Sequence, residues 1–177
     1  MTPPASGRKV TPRIEVVIAS PLWRKKPQSA SLIRKAISEA AKTGSKPRSK
    51  SGSTSHAELA ILLTDDSAIR ALNREWRKLD VPTNVLSFPA KIARASRDLP
   101  RHLGDIVIAY ETTAREAAAE RKPFGHHLVH LAVHGYLHLL GYDHATDRKA
   151  NKMERLEVDI LARLGVPDPY VTRDRAV

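Results

Sequence analysis

Six of the eight histidines lie between His126 and His144, while the chain contains no cysteine. That absence excludes disulfides, thiolate zinc sites and cysteine nucleophiles together. Any metal must be held by His, Asp or Glu, and neutral imidazole is the main transition-metal ligand left. His134 and His138 are four apart, so on a helix both rings project from one face and can grip one ion. His130 shares that face, but from His130 to His138 the helix rises about 12 Å. Metal–nitrogen bonds of about 2.1 Å cannot span it. Gly141 can end the helix and let the chain double back, which brings His144 to the ion from the other side. The candidate ligands are therefore His134, His138 and His144, holding one Zn2+ per chain. Their fourth position stays open, which distinguishes a catalytic zinc from a structural one.

Around these three, His126 and His127 are expected to face solvent or cap the helix, and His130 either braces a ligand or is structural. Tyr142 and Asp143 are candidates to support the ligands, although Asp143 equally suits a turn or cap. The same spacing occurs in the metzincin proteases, where a glutamate follows the first histidine and acts as general base. Gly135 stands there in this chain, and a glycine cannot take a proton from an attacking water. A peptidase therefore lacks its central residue.

The elements that must position the cluster can be read from periodicity. Ile14 to Ile18 reads as a strand, and Leu32, Ile33, Ala36, Ile37 and Ala40 recur at helical spacing before Gly44. Ala57 to Leu63, Val85 to Phe88 and Ile106 to Tyr110 are three more strands. Asp65, Asp66 and Ser67 offer N-caps for a helix to about Leu79, with Ile69, Leu72, Trp76 and Leu79 on its inner face and Arg70, Arg74, Arg77 and Lys78 on the other. Thr113 and Glu116 suggest a capping box ahead of an Ala-rich helix ending before Pro123. A long helix then runs to Leu140. The last spans about Asp147 to Leu164, with Met153, Leu156, Ile160 and Leu164 inward and Gly165 and Pro167 as terminators. The expectation is an α/β (α+β) fold, one compact domain over 1–177 with a small four-stranded mixed sheet and about five helices.

The net charge is +11, and residues 1–55 hold twelve Lys and Arg against only two acids. Nearly all the excess is thus N-terminal, partly in a low-complexity stretch from Lys42 to Ser55 that reads as a flexible insert, solvated or attracting RNA. An excess of this size points to a polyanion such as nucleic acid or a membrane surface. No run approaches a membrane span and the N-terminus lacks the apolar core of a secretory signal, so a soluble, cytoplasmic protein is expected. There is no Walker-type glycine loop and no G-x-S-x-G elbow, which lowers the case for nucleotide hydrolases and serine esterases.

The run His134-Gly135-Tyr136-Leu137-His138-Leu139-Leu140-Gly141-Tyr142-Asp143-His144 resembles the signature of the YbeY family of bacterial metal-dependent endoribonucleases, or rRNA maturation factors. Leu72-Asn73-Arg74-Glu75-Trp76-Arg77 with Asp80-Val81-Pro82-Thr83-Asn84-Val85-Leu86-Ser87-Phe88-Pro89 is similar to a second family motif, and Leu103-Gly104-Asp105-Ile106 to a third. The ending from Met153-Glu154 to Asp168-Pro169-Tyr170 also agrees, with a short tail after residue 170. The resemblance covers about Ala57 to Tyr170; the basic N-terminal segment and the insert at 42–55 depart from it.

The resemblance implies a zincin-like three-histidine site and single-strand-specific hydrolysis of RNA by a zinc-dependent endonuclease. It further implies maturation of the 3′ end of 16S rRNA, ribosome quality control, and partners among small-subunit rRNA and ribosomal or assembly proteins. It also singles out Arg77 as catalytic. From the residues alone Arg77 belongs to a charged stripe, but a guanidinium is a good bidentate clamp for the charge that builds on phosphoryl oxygens. Arg70, Arg74, Lys78, Lys91, Arg94, Arg97 and Arg101 would then track phosphates. Asp105 would orient a ligand histidine or cap its own turn. Two other functions fit the same residues: a ribosome-assembly factor braced by metal without catalysis, and, more weakly, a metzincin-like peptidase.

Overall fold

The computed structural model describes residues 11–43, 57–90 and 101–171. The strands are β1 (Arg13–Ile18), β2 (Ala57–Thr64), β3 (Val85–Pro89) and β4 (Arg101–Ala109). The helices are α1 (Ser29–Thr43), α2 (Asp66–Arg77), α3 (Tyr110–Ala119), α4 (Phe124–Leu139) and α5 (Asp147–Arg163), with a 3-10 turn at Pro21–Lys25. The sheet order is β1-β2-β4-β3. β1, β2 and β4 run parallel, and β3 pairs antiparallel to β4 at the edge. Among the described residues this is the expected four-stranded mixed sheet with five α-helices.

Alternation along the strands assigns each face a different cover. Leu59, Ile61, Leu63, Ile106 and Ile108 point into the main core with residues of α1, α4 and α5. Leu62, Val107, Leu86 and Phe88 point the other way and meet Ile69 and Leu72 of α2. Trp23 closes one end of the main core, its indole N–H donating to the Thr64 carbonyl at 2.8 Å and its ring meeting Tyr110 and Phe124 edge-on.

Most of α4 is buried among other elements. Leu128, Leu131, Ala132, Val133, Tyr136, Leu137 and Leu139 are all buried, as a helix that is apolar nearly all round requires. Gly135 lets it lie close to the sheet, since a Cβ there would sit 3.0 Å from Ile106 and 3.1 Å from Ser87 Oγ. Ser87 Oγ also donates to the Gly135 carbonyl at 3.2 Å, tying edge strand β3 to α4.

Three local expectations are corrected. α3 begins at Tyr110, so Thr113 lies within the helix and donates its hydroxyl to the Ala109 carbonyl instead of capping; Glu116 bonds Asn84 and His127. β4 begins at Arg101, well before Ile106. Trp76 and Leu79 are not inward: they are 64% and 54% exposed. α2 ends at Arg77 with Lys78 left-handed (φ 61°), so helical periodicity stops short of Leu79. The buried place on that last turn belongs to Asn73, whose amide donates to the Val81 carbonyl at 2.9 Å.

Candidate metal centre

The imidazoles of α4 form a stripe on its one open side. His134 and His138 are half-buried and ring-to-ring at 4.6 Å between centroids. α4 ends in a Schellman turn: Tyr142 N–H donates to the Leu137 carbonyl and Gly141 N–H to that of His138, with Gly141 at φ +85°. The chain turns back there, and the ring of His144 stacks on His134 at 5.7 Å and meets His138 edge-on at 5.1 Å. One nitrogen from each of His134, His138 and His144 lies within 4.8 Å of the others.

The hydrogen bonds behind these rings fix which nitrogens face inward. Nδ1 of His138 is 2.9 Å from the Tyr142 carbonyl, which can only accept, so that nitrogen carries the proton. Nδ1 of His134 is 2.8 Å from Glu157 Oε1 and donates to the carboxylate. Both Nε2 atoms therefore present lone pairs, and they face each other at 3.0 Å. Two lone pairs so placed repel unless a cation lies between them. This donor set fits a metal that takes neutral imidazole. Burial, and then the neighbouring His134, push the His138 imidazole below its ordinary pKa, towards the unprotonated form a metal needs.

Glu157 of α5 is the polar anchor of the stripe and was absent from the sequence expectations. Its side chain is wholly buried. It accepts from His134 Nδ1, from His130 Nε2 at 2.9 Å, and from the Tyr170 hydroxyl. Burial alone would raise its pKa, but the bonds from His130 and His134 outweigh that and hold it down to about 2. Glu157 falls four residues after Met153 and three before Ile160 on the inward face of α5. An acid in that register was the available signal.

The remaining site residues sort as follows. His130 goes to Glu157 and is not one of the group of three, although with His134 and Glu157 it makes a second set of ligand atoms within 4.8 Å of one another. His127 is buried, with Nε2 2.8 Å from Glu116, and is neither solvent-facing nor a cap. Beyond His130, a cavity of about 570 Å³ is lined by Lys122, His126, His127, Pro169 and Tyr170 among others. Tyr142 contributes its carbonyl; Asp143 is a turn residue, accepting from Ala145 N–H and from Lys149. Asp105 pairs with His102 at 3.2 Å and touches none of the three histidines.

Arg77 is exposed at the end of α2 and makes no contact with the histidines; among the described residues it has no hydrogen bond or ion pair. β3 lies between them, with Phe88 turned to α2 and Ser87 to α4. Arg70 is held bidentate by Asp80, both bonds 3.0 Å, with Arg74 3.9 Å from the same carboxylate, so Arg70 fastens the loop after α2 and is not spare for phosphate. Lys91, Arg94, Arg97 and nearly all of the Lys42 to Ser55 insert lie outside the described residues, while Arg101 is exposed at the start of β4. No helix among the described residues is long and apolar enough to cross a membrane.

The family profile described as Endoribonuclease YbeY matches residues 23–165. A protein of that name from Bradyrhizobium sp. (strain BTAi1) is 53% identical over 167 residues, covering 93% of this chain and 95% of the relative. One from Rhodopseudomonas palustris (strain BisA53) is 53% identical over 169 residues, covering 94% and 95%. Another from Nitrobacter winogradskyi is 53% identical over 171 residues, covering 95% and 87%.

Proposed function

Since this chain belongs to the endoribonuclease YbeY family, we propose that it is a metal-dependent endoribonuclease that hydrolyses single-stranded RNA in the cytoplasm, maturing the 3′ end of 16S rRNA and serving ribosome quality control. Its partners on this reading are small-subunit rRNA and ribosomal or assembly proteins. The observation that carries the metal-dependent part is the pair of Nε2 atoms facing each other at 3.0 Å, each ring fixed from behind. His134, His138 and His144 would hold one Zn2+, the ion suited to an all-imidazole set. When bound, such an ion supplies positive charge for a phosphoryl oxygen and acidity for a water.

The chain's own groups do the rest. Glu157 and the Tyr142 carbonyl keep the Nδ1 protons of His134 and His138 turned away, so that both Nε2 lone pairs stay available. Arg77, unpaired among the described residues, serves as the guanidinium that neutralises charge on the phosphoryl oxygens. Gly135 opposes a peptidase, because it offers no carboxylate to act as general base and even a Cβ there would press on Ile106 at 3.0 Å and on Ser87 Oγ at 3.1 Å. Residues 1–177 act as one domain, with 42–55 and the tail after 170 as accessories.

The test is cleavage of single-stranded RNA, duplex RNA and casein by zinc-loaded protein, beside His134→Ala and Arg77→Ala. The expected result is cutting of single-stranded RNA alone, abolished in His134→Ala and lowered on the order of 100-fold in Arg77→Ala. Equal RNA degradation by wild type and both variants would mean contamination and reject the reading. RNA binding without cleavage would favour an assembly factor.

A further inference from the structure

Trp76 is the largest exposed apolar side chain among the described residues, 64% exposed, with Leu79 and Val81 also more than half exposed nearby. It is not loose, because its ring meets Phe88 edge-on with centroids 5.8 Å apart, and Phe88 is itself packed on the core beneath α2. The loop that follows is pinned by Asn73 to Val81 and by Arg70 to Asp80. The end of α2 that carries this braced indole is rich in cations: Arg74, Arg77 and Lys78 are exposed there against one acid, Glu75, while Asp80 is taken up by Arg70 and, at 3.9 Å, Arg74. An open aromatic face on a helix end rich in cations suits a polyanion that also offers flat rings. Single-stranded nucleic acid meets both conditions, since every base has a π-face and every linkage a charge.

We infer that Trp76 is a base-stacking platform for single-stranded RNA, holding a nucleotide beside the cleavage site. The inference rests on the endoribonuclease reading for its ligand, and on the position of β3 for its route. Phe88 touches Trp76, and the adjacent Ser87 hydrogen-bonds the carbonyl of Gly135, the residue after His134. Trp76 and the histidines therefore lie on either side of one edge strand, and an RNA stacked on Trp76 can cross that edge to the metal centre. In a duplex the bases are already stacked on one another, so this platform selects unpaired RNA.

The chain carries its own reporter, because its other tryptophan, Trp23, is 1% exposed. Acrylamide should therefore quench Trp76 and spare Trp23. The probe is a 2′-O-methyl uridine decamer, added to the zinc-loaded full-length protein. Saturating decamer is expected to shield Trp76 from acrylamide. Trp76→Leu should weaken decamer binding about five- to one-hundred-fold and Trp76→Phe by only a few-fold, as stacking on an aromatic ring requires. In cleavage of ordinary RNA, Trp76→Leu should raise KM with little change in kcat.

Three results would overturn the proposal: decamer binding that leaves acrylamide quenching unchanged, equal affinity for Trp76→Leu and wild type, or shielding of Trp76 by protein concentration alone. In each the endoribonuclease reading survives if wild type still cuts RNA. Conversely, shielding of Trp76 by the decamer in a protein that cuts nothing would uphold the platform and reject the nuclease.

Discussion

Glu157→Gln isolates the charge of one buried carboxylate while keeping its shape. In the wild type the carboxyl is held at about 2 against an ordinary 4.5, a drop that corresponds to about 3 kcal/mol of preference for the ionised form in the folded chain. Glutamine resembles the protonated acid, so the variant should lose about that much stability at neutral pH, with chelator present to remove metal. In urea this moves the unfolding midpoint down on the order of 1 M. The pH dependence has a definite sign. The folded pKa is depressed, so the stabilisation is whole above pH 4.5 and fades as pH falls through the folded value near 2. Wild type and variant should therefore differ at pH 7 and converge in acid. The same substitution keeps one acceptor oxygen and puts an amide N–H2 in place of the other, so glutamine cannot accept from His134 on one side and from His130 and Tyr170 on the other, and the hold on Nδ1 of His134 is weakened. Zinc affinity, measured by competition with a chromophoric chelator, should fall about 10- to 100-fold. Equal stability of the two proteins across pH 3 to 8 would refute the charged-acceptor role. A destabilised variant with unchanged zinc affinity would show that Glu157 braces the fold without orienting the ligand.

Gly104→Ala should be among the most damaging small substitutions, because φ is +130° there and a Cβ would sit 2.2 Å from the Phe88 carbonyl; a loss above about 3 kcal/mol is expected in thermal unfolding. Gly141→Ala meets nothing within 4 Å but must keep φ at +85°, so its stability cost should be about 1 kcal/mol. Zinc affinity should fall as well, since this turn carries His144. RNA affinity should decline steeply with salt, and deleting residues 42–55 should flatten the slope while cleavage persists; loss of cleavage in that deletion would make the segment essential.

The parts of this molecule legible in its sequence are those whose constraints are local. Two histidines four apart on a helix and a third beyond a turn glycine can be read from rise per residue and the freedom of glycine, and the meeting of His134, His138 and His144 follows from those two facts. Glu157 was harder, because its partners lie 23 and 27 residues away on another helix. Only its inward register on α5 hinted that an acid was buried. Trp76 departs from its expected inward place for a related reason. Periodicity identifies a helix face but not how far a neighbouring sheet extends beneath it. α2 reaches edge strand β3 with its last turn, so Asn73 is covered and Trp76 stands open.

The close seat of Gly135 on β3 and β4 bears on how such a site can change over evolutionary time. Replacing that glycine by glutamate is all that separates this histidine spacing, letter for letter, from a protease motif. The step is nevertheless resisted as a single mutation, because even a Cβ there would press on Ile106 and the Ser87 hydroxyl at 3.0–3.2 Å, and those side chains would have to give by a few tenths of an ångström. Smaller residues on both strands would ease it, but they would loosen the packing against the helix that carries His134 and His138. The contact that brings β3 against the histidine helix thus also works against a drift of this scaffold into proteolysis.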